Sequence, residues 1–210
     1  MSTGSFNIAF ENTIRHEGYY AYLQGDKGGE TYMGIARNYY PNWPGWSYVD
    51  RAKREQGGSL PNNYKIEYPE LNTYVRAFYF SEKWQKHRLD QVKDIAMVKL
   101  IFDFVVHSRY AVREIQKVLR NMGNISVIAD NSMGPITLAA INDADTAILY
   151  HQIKYQRIAY LKSLNEPAFE ESWIARVNRF NDFGTPAGIS VAVVAALAGT
   201  GIFVYSKMRR

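Results

Sequence analysis

Apolar side chains recur at helical spacing through most of the first 180 positions. Phe6, Phe10 and Ile14 follow one another at four-residue steps, which places them on one face of a helix read over 4–17. The same reading gives helices over 46–56, 67–86, 92–108, 111–121, 134–143, 145–164 and 168–180. In the helix over 92–108, Met97, Leu100, Ile101, Phe104, Val105 and Ser108 form one stripe. Strand signals are weak, with one exception, a short hairpin or extended turn around Tyr20 to Ile35. No internal repeat is evident. The pattern predicts a mainly α chain.

The periodicity ends near Gly184. Residues 187–206 then run for twenty positions without a charge and are followed by Lys207, Arg209 and Arg210. At 1.5 Å per residue such a helix spans about 30 Å, the thickness of a bilayer's hydrocarbon core. Gly184, Thr185 and Pro186 form a natural break before it. The expectation is a single C-terminal transmembrane helix. Gly188, Ala192, Ala196 and Thr200 lie four apart on it, either a surface for close helix approach or the ordinary small-residue content of membrane helices. The first thirty residues carry no basic-then-apolar signal. The cationic tail predicts a cytoplasmic C-terminus with the catalytic part in the periplasm. Insertion of a short tail from inside is the competing topology.

Charge changes this picture little. The net charge is +5, but the three tail cations supply most of it, and without them 22 basic residues face 20 acidic ones. That balance is too even for a nucleic-acid footprint. The chain has no cysteine, which excludes disulfides, thiolate nucleophiles and Cys-containing zinc sites. Its four histidines are scattered, with no His-Glu-x-x-His arrangement, and neither a Gly-x-Ser-x-Gly elbow nor a phosphate-binding Gly-rich loop occurs. No metal and no cofactor are expected.

The candidate chemistry gathers between His16 and Ile35. Continuing from Ile14 at about 100° per residue, Glu17 falls close to the packed face of its helix. It stands at the expected helix end, where the macrodipole disfavours an anion and Gly18 stops the helix. Desolvation and the dipole both favour a protonated carboxyl, which is what a general acid needs near neutral pH. The alternative is a glutamate at a frayed end that contacts Arg15 or Lys27. Asp26, among Gly25, Gly28 and Gly29, is either a second carboxylate for glycoside hydrolysis or an Asx-type turn residue. Thr31 has a hydroxyl that suits positioning a water. Tyr19, Tyr20, Tyr22 and Tyr32 either stack on pyranose rings or serve as packing. Asp103 and His107, four apart, form either an exposed helical pair or part of a cleft wall. The aromatic segment from Asn38 to Tyr68 is irregular.

Glu17-Gly18-Tyr19-Tyr20, Asp26-Lys27-Gly28-Gly29-Glu30-Thr31 and Gly34-Ile35 together resemble the first motif block of glycoside hydrolase family 108, the phage-type endolysins and secretion-associated N-acetylmuramidases. Phe102-Asp103-Phe104-Val105-Val106-His107-Ser108 is similar to a later helix of that family. The run from Asp130 to Ile141, and Trp173 with Arg176, resemble its predicted peptidoglycan-binding portion. The resemblance covers about 5–180. It implies a lysozyme-like helical fold, cleavage of the β-1,4 bond between N-acetylmuramic acid and N-acetylglucosamine, and Glu17 as the catalytic residue. Asp26 and Thr31 match motif positions without an assigned role. Tyr19 stands where the family has glycine, Lys27 where it has proline, His107 where asparagine is usual, and Asn131 where glycine is usual. Asparagine at 131 accepts the same left-handed backbone.

The chain is thus divided into a lysozyme-like muramidase domain over 1–110, a predicted peptidoglycan-binding helical portion over 111–184 and a transmembrane helix over 187–206. Glu17, Asp26 and Thr31 are the catalytic candidates, and Tyr20, Tyr32, Asp103 and His107 the substrate-binding ones. Peptidoglycan and the membrane are the expected partners, with a secretion or lysis machinery as a further one and no nucleic acid. A glycan-binding module that no longer cuts and a lytic transglycosylase are the alternatives.

Overall fold

The structure, a computed structural model, describes residues 3–15, 17–23, 25 and 27–184. It is mainly helical and divides into two compact units, Ser2–Lys86 and the residues from His87 onward. The division falls upstream of the 110 boundary read from the sequence. The expected transmembrane span at 187–206 lies outside the described residues, and no helix among those described is long and apolar enough to cross a membrane.

The first unit opens with α1 (Thr3–Ile14), whose Phe6 and Phe10 are buried as the stripe requires. Three two-residue strands follow, β1 (Tyr20–Ala21), β2 (Thr31–Tyr32) and β3 (Ile35–Ala36), in an antiparallel sheet of that order. Tyr20 pairs with Tyr32, and Tyr32 with Ile35. Met33 and Gly34, both at positive φ (46° and 79°), make the two-residue turn between β2 and β3. Two positive φ angles match the turn to the right-handed twist of the strands. Helix α2 (Trp46–Glu55) buries Trp46, Val49 and Ala52. Helix α3 (Pro69–Tyr79) begins on Pro69, which lacks only an amide that the first helical turn leaves unbonded, and follows an extended Tyr68.

The helix expected over 67–86 does not stay α-helical. From Phe80 to Gln85 it widens into a π-helical turn, in which the Lys86 amide reaches back to the Ser81 carbonyl (3.2 Å). The wide turn directs Trp84 and Phe80 onto Phe6, with ring centroids 5.5 and 5.0 Å away. Tyr79 packs edge-on to Phe10 at 5.8 Å.

In the second unit, α4 (Ile95–His107) is buried nearly all round and forms its core. Asp94 caps it by accepting from the Met97 amide at 2.8 Å. It packs on α5 (Ala111–Asn121) and α7 (Thr146–Ser163), which pack on each other, while α6 (Pro135–Asp143) lies on α5 and α7 and α8 (Pro167–Asn178) on α7. The loop before α6 is tied to Gln116, whose amide donates to Asp130 Oδ1 (2.8 Å), the Ser132 carbonyl (2.9 Å) and Thr137 Oγ1 (3.1 Å). Asn131 has φ 66°, the left-handed conformation expected of a residue standing in place of glycine.

Candidate active site

Helix α1 stops at Ile14, three residues short of the end predicted from the sequence. The Glu17 amide bonds back to the Ile14 carbonyl at 3.0 Å, a three-residue turn that leaves the α ladder and places Glu17 just beyond the helix. Its half-buried side chain still reaches the packed side of the unit. The position is fixed by Gly34. A Cβ placed there would lie 2.8 Å from Glu17 Oε2 and 2.6 Å from Tyr79 Oη. Backbone, carboxylate and phenol thus meet where no side chain fits, and Gly34 itself faces solvent.

The surroundings hold that turn in place. The Tyr79 hydroxyl donates to the Met33 carbonyl at 2.6 Å, and the Met33 amide donates to the Tyr19 carbonyl at 3.0 Å. A cation stands within electrostatic reach of Glu17, on the π turn. Burial lowers the Lys83 pKa and neighbouring Lys86 lowers it further, while Glu82 and Glu17 act in the opposite direction.

Behind the sheet lies a carboxylate that sequence reading did not single out. Glu30 is 8% exposed and receives the Tyr20 hydroxyl (2.8 Å) and Lys53 Nζ (2.7 Å) on Oε1. Arg37 Nε lies 2.6 Å from its Oε2. Burial alone would raise the Glu30 pKa, but the hydrogen bonds from Lys53 and Tyr20 and the charges of Arg37 and Lys53 prevail and lower it. Arg37 continues to Asp50 (2.6 and 3.2 Å) and stacks over Trp46 at 4.2 Å. This network ties the sheet to α2 and so braces the turn that meets Glu17. Glu30 and Arg37 stand opposite each other just beyond the β2–β3 pairs, with the Arg37 amide donating to the Glu30 carbonyl at 2.8 Å, but no spacing rule brings Lys53 of α2 to them.

The other candidates separate. Tyr32, 1% exposed, and Tyr20, 4% exposed, are core residues whose ring faces cannot stack on a sugar, and burial raises the pKa of both. Their expected substrate-binding role is corrected to packing and, for Tyr20, to holding Glu30. Thr31 is half-buried on β2, its hydroxyl directed to the Gly29 carbonyl at 3.4 Å. Asp26 lies outside the described residues.

Asp103 and His107 sit in the second unit. Asp103 is 1% exposed, and Arg157 Nη2 (2.6 Å) and Arg176 Nη2 (2.8 Å) engage its oxygens. Burial would raise the Asp103 pKa, but the two guanidinium groups lower it. It is an internal ion-pair centre, which corrects both the exposed-pair reading and the cleft-wall reading. His107 is half-buried, edge-on to Trp173 at 5.8 Å, with Nδ1 3.4 Å from Arg157 Nη2. Burial first, then Arg157 and Arg176, lower its pKa to about 3 against the pull of Asp103, so the ring is neutral.

The first unit also carries an open groove of about 440 Å³, walled by the 39–44 loop and by α3 with its π turn. Glu17 is not among its lining residues. Among the described residues there is no cluster of three His, Asp or Glu suited to a metal ion.

Residues 10–108 match the family Glycosyl hydrolase 108. The match contains Glu17, Gly34, Tyr79 and Lys83, and it supports a glycoside hydrolase. Among solved structures, that of Brucella abortus SagA is similar at TM-score 0.61 and 24% identity, covering 85% of this chain and 92% of that one. That likeness bears on the fold alone. No curated protein matches the chain.

Proposed function

We propose that this protein is a peptidoglycan hydrolase that cleaves the β-1,4 bond between N-acetylmuramic acid and N-acetylglucosamine, with Glu17 as the proton donor. The observation that carries the reading is the Glu17 carboxyl, held beside the solvent-facing Gly34 backbone and the Tyr79 hydroxyl within the segment that matches Glycosyl hydrolase 108. An acid fixed at the surface by backbone on one side and a tethered phenol on the other suits protonation of a glycosidic oxygen as the bond breaks. Charge then develops on the anomeric carbon. In this reading Asp26 stabilises that charge or orients the attacking water, and Thr31 assists. The hydrolase works anchored to a membrane through 187–206, on the periplasmic side, in wall lysis or in local opening of the wall beside a secretion machinery.

Replacement Glu17→Gln keeps the size of the side chain and removes the acid. We expect release of reducing ends from purified peptidoglycan to fall by about 10²–10⁴-fold, the usual contribution of a positioned acid. Clearance at the unaltered rate would defeat the assignment. Products ending in anhydro-muramic acid would reassign the reaction to a transglycosylase.

A further inference from the structure

We infer that the groove between the 39–44 loop and α3 is a second saccharide-binding site, one that holds a part of the glycan strand remote from the bond being cut. The inference rests on the hydrolase reading above for the identity of the strand, but the groove's own chemistry carries it. The exposed aromatic face in its lining is that of Tyr39, 65% exposed, while Trp43 and Phe78, each 8% exposed, contribute only apolar edges. Asn42, Ser81 and Glu82 add amide, hydroxyl and carboxylate groups to the lining. A pyranose offers the matching surface, an apolar C–H face with hydroxyl groups around its edge. Among the residues lining the groove there is no lysine or arginine, and the lone charge is Glu82. Phosphate-rich or strongly acidic ligands are therefore disfavoured, and a neutral N-acetylated sugar is not. The volume of about 440 Å³ is within the range of sites that enclose a small ligand.

Continuity with the candidate acid selects this occupant over others. Phe78 and Glu82, four residues apart, line the groove. Tyr79 and Lys83, the next residue in each case, lie toward Glu17. Successive residues of an α-helix differ by about 100°, and by somewhat less in the π turn, so the residues that line the groove and those that lie toward Glu17 occupy adjacent faces of one rod. The loop wall is connected in the same way. It follows β3, and the turn before β3 is the one that meets Glu17. A polymer gripped at Glu17 can pass from one face to the next.

The test uses the full chain carrying Glu17→Gln, so that bound sugar is not consumed. N-acetylglucosamine dimer and hexamer are titrated while the indole N–H resonance of Trp43, which donates to the Tyr74 carbonyl (3.3 Å), is followed by NMR. The hexamer should shift that resonance. Tyr39→Ala or Asn42→Ala should weaken hexamer binding by about five- to tenfold, the size of one aromatic or polar contact. An unmoved Trp43 resonance, an unaltered hexamer affinity in both variants, or a response to a proline-rich peptide without one to sugar would each overturn the inference. If the wild-type protein releases no reducing ends while the hexamer still shifts Trp43, the hydrolase reading fails and the groove assignment stands. Cleavage by a protein whose groove ignores saccharides gives the converse.

Discussion

Gly34→Ala is the substitution that most directly tests the geometry around Glu17. The new methyl would be placed 2.6 Å from Tyr79 Oη and 2.8 Å from Glu17 Oε2, well inside van der Waals contact. It would also force alanine to φ 79°, at a cost of about 1–2 kcal/mol. Which neighbour gives way can be reasoned out. The Tyr79 ring is buried against Phe10 and its hydroxyl is tied to the Met33 carbonyl, whereas the Glu17 carboxylate is the far end of a flexible, half-buried chain. Glu17 should therefore swing aside, so most of the steric conflict is relieved in the structure and appears as lost positioning. A displacement of about 1 Å at a catalytic group costs on the order of 10²-fold in rate. Gly57 is the control, with φ 80° and nothing within 4 Å of an added Cβ. Gly57→Ala should lose the same 1–2 kcal/mol in urea unfolding, with little effect on turnover. Gly34→Ala should lose about 10²-fold in reducing-end release from peptidoglycan beyond any effect of Gly57→Ala. Equal activities in the two variants would refute the placement of Glu17 against this turn.

Three further outcomes are expected. Asp103→Asn removes the carboxylate from two buried guanidinium groups and should cost about 3–5 kcal/mol, read by urea unfolding from the fluorescence of Trp173, the sole tryptophan after His87. Because the folded Glu30 carboxyl holds its proton less tightly than an unfolded one, the unfolded chain binds more protons as pH falls below the ordinary glutamate value of about 4.3. Stability from Glu30 is thus complete above that value and is lost as pH falls through the folded one, and Glu30→Gln should flatten that slope in thermal melts followed between acid and neutral pH. His107, with its pKa near 3, should show ring proton shifts that do not move between about pH 5 and 8, and a midpoint near 6.5 would show the ring free of its arginines.

Helix positions were the most legible part of the sequence, because periodic apolar residues answer to one nearby core. The helices read over 46–56, 111–121 and 134–143 agree with α2, α5 and α6 to within a residue at either end. Termini were less legible where tertiary contacts decide them. Glu17 leaves α1 because its amide closes a tighter turn, and α3 widens after Tyr79, which brings Trp84 and Phe80 onto Phe6. In the proposed site, Glu17 was legible from its motif and from the apolar stripe before it. The Glu30 network was not, because its partners come from β1, the end of the sheet and α2. Tyr20 and Tyr32 illustrate the same limit from the other side. In a two-residue strand, alternation does not reveal which face is buried, and both rings turn inward.

The widened turn at Phe80–Gln85 sets the phase of this part of the chain. An α-helix of the same sequence would advance by about 100° at each residue, whereas the wider turn advances by less, and the difference accumulates before Trp84. A one-residue deletion there would restore ordinary helical hydrogen bonding and still be harmful, since the indole would be carried off the Phe6 ring toward water. Length, more than composition, is therefore what this stretch must preserve, and single-residue gaps should be tolerated in the exposed 56–59 stretch sooner than here.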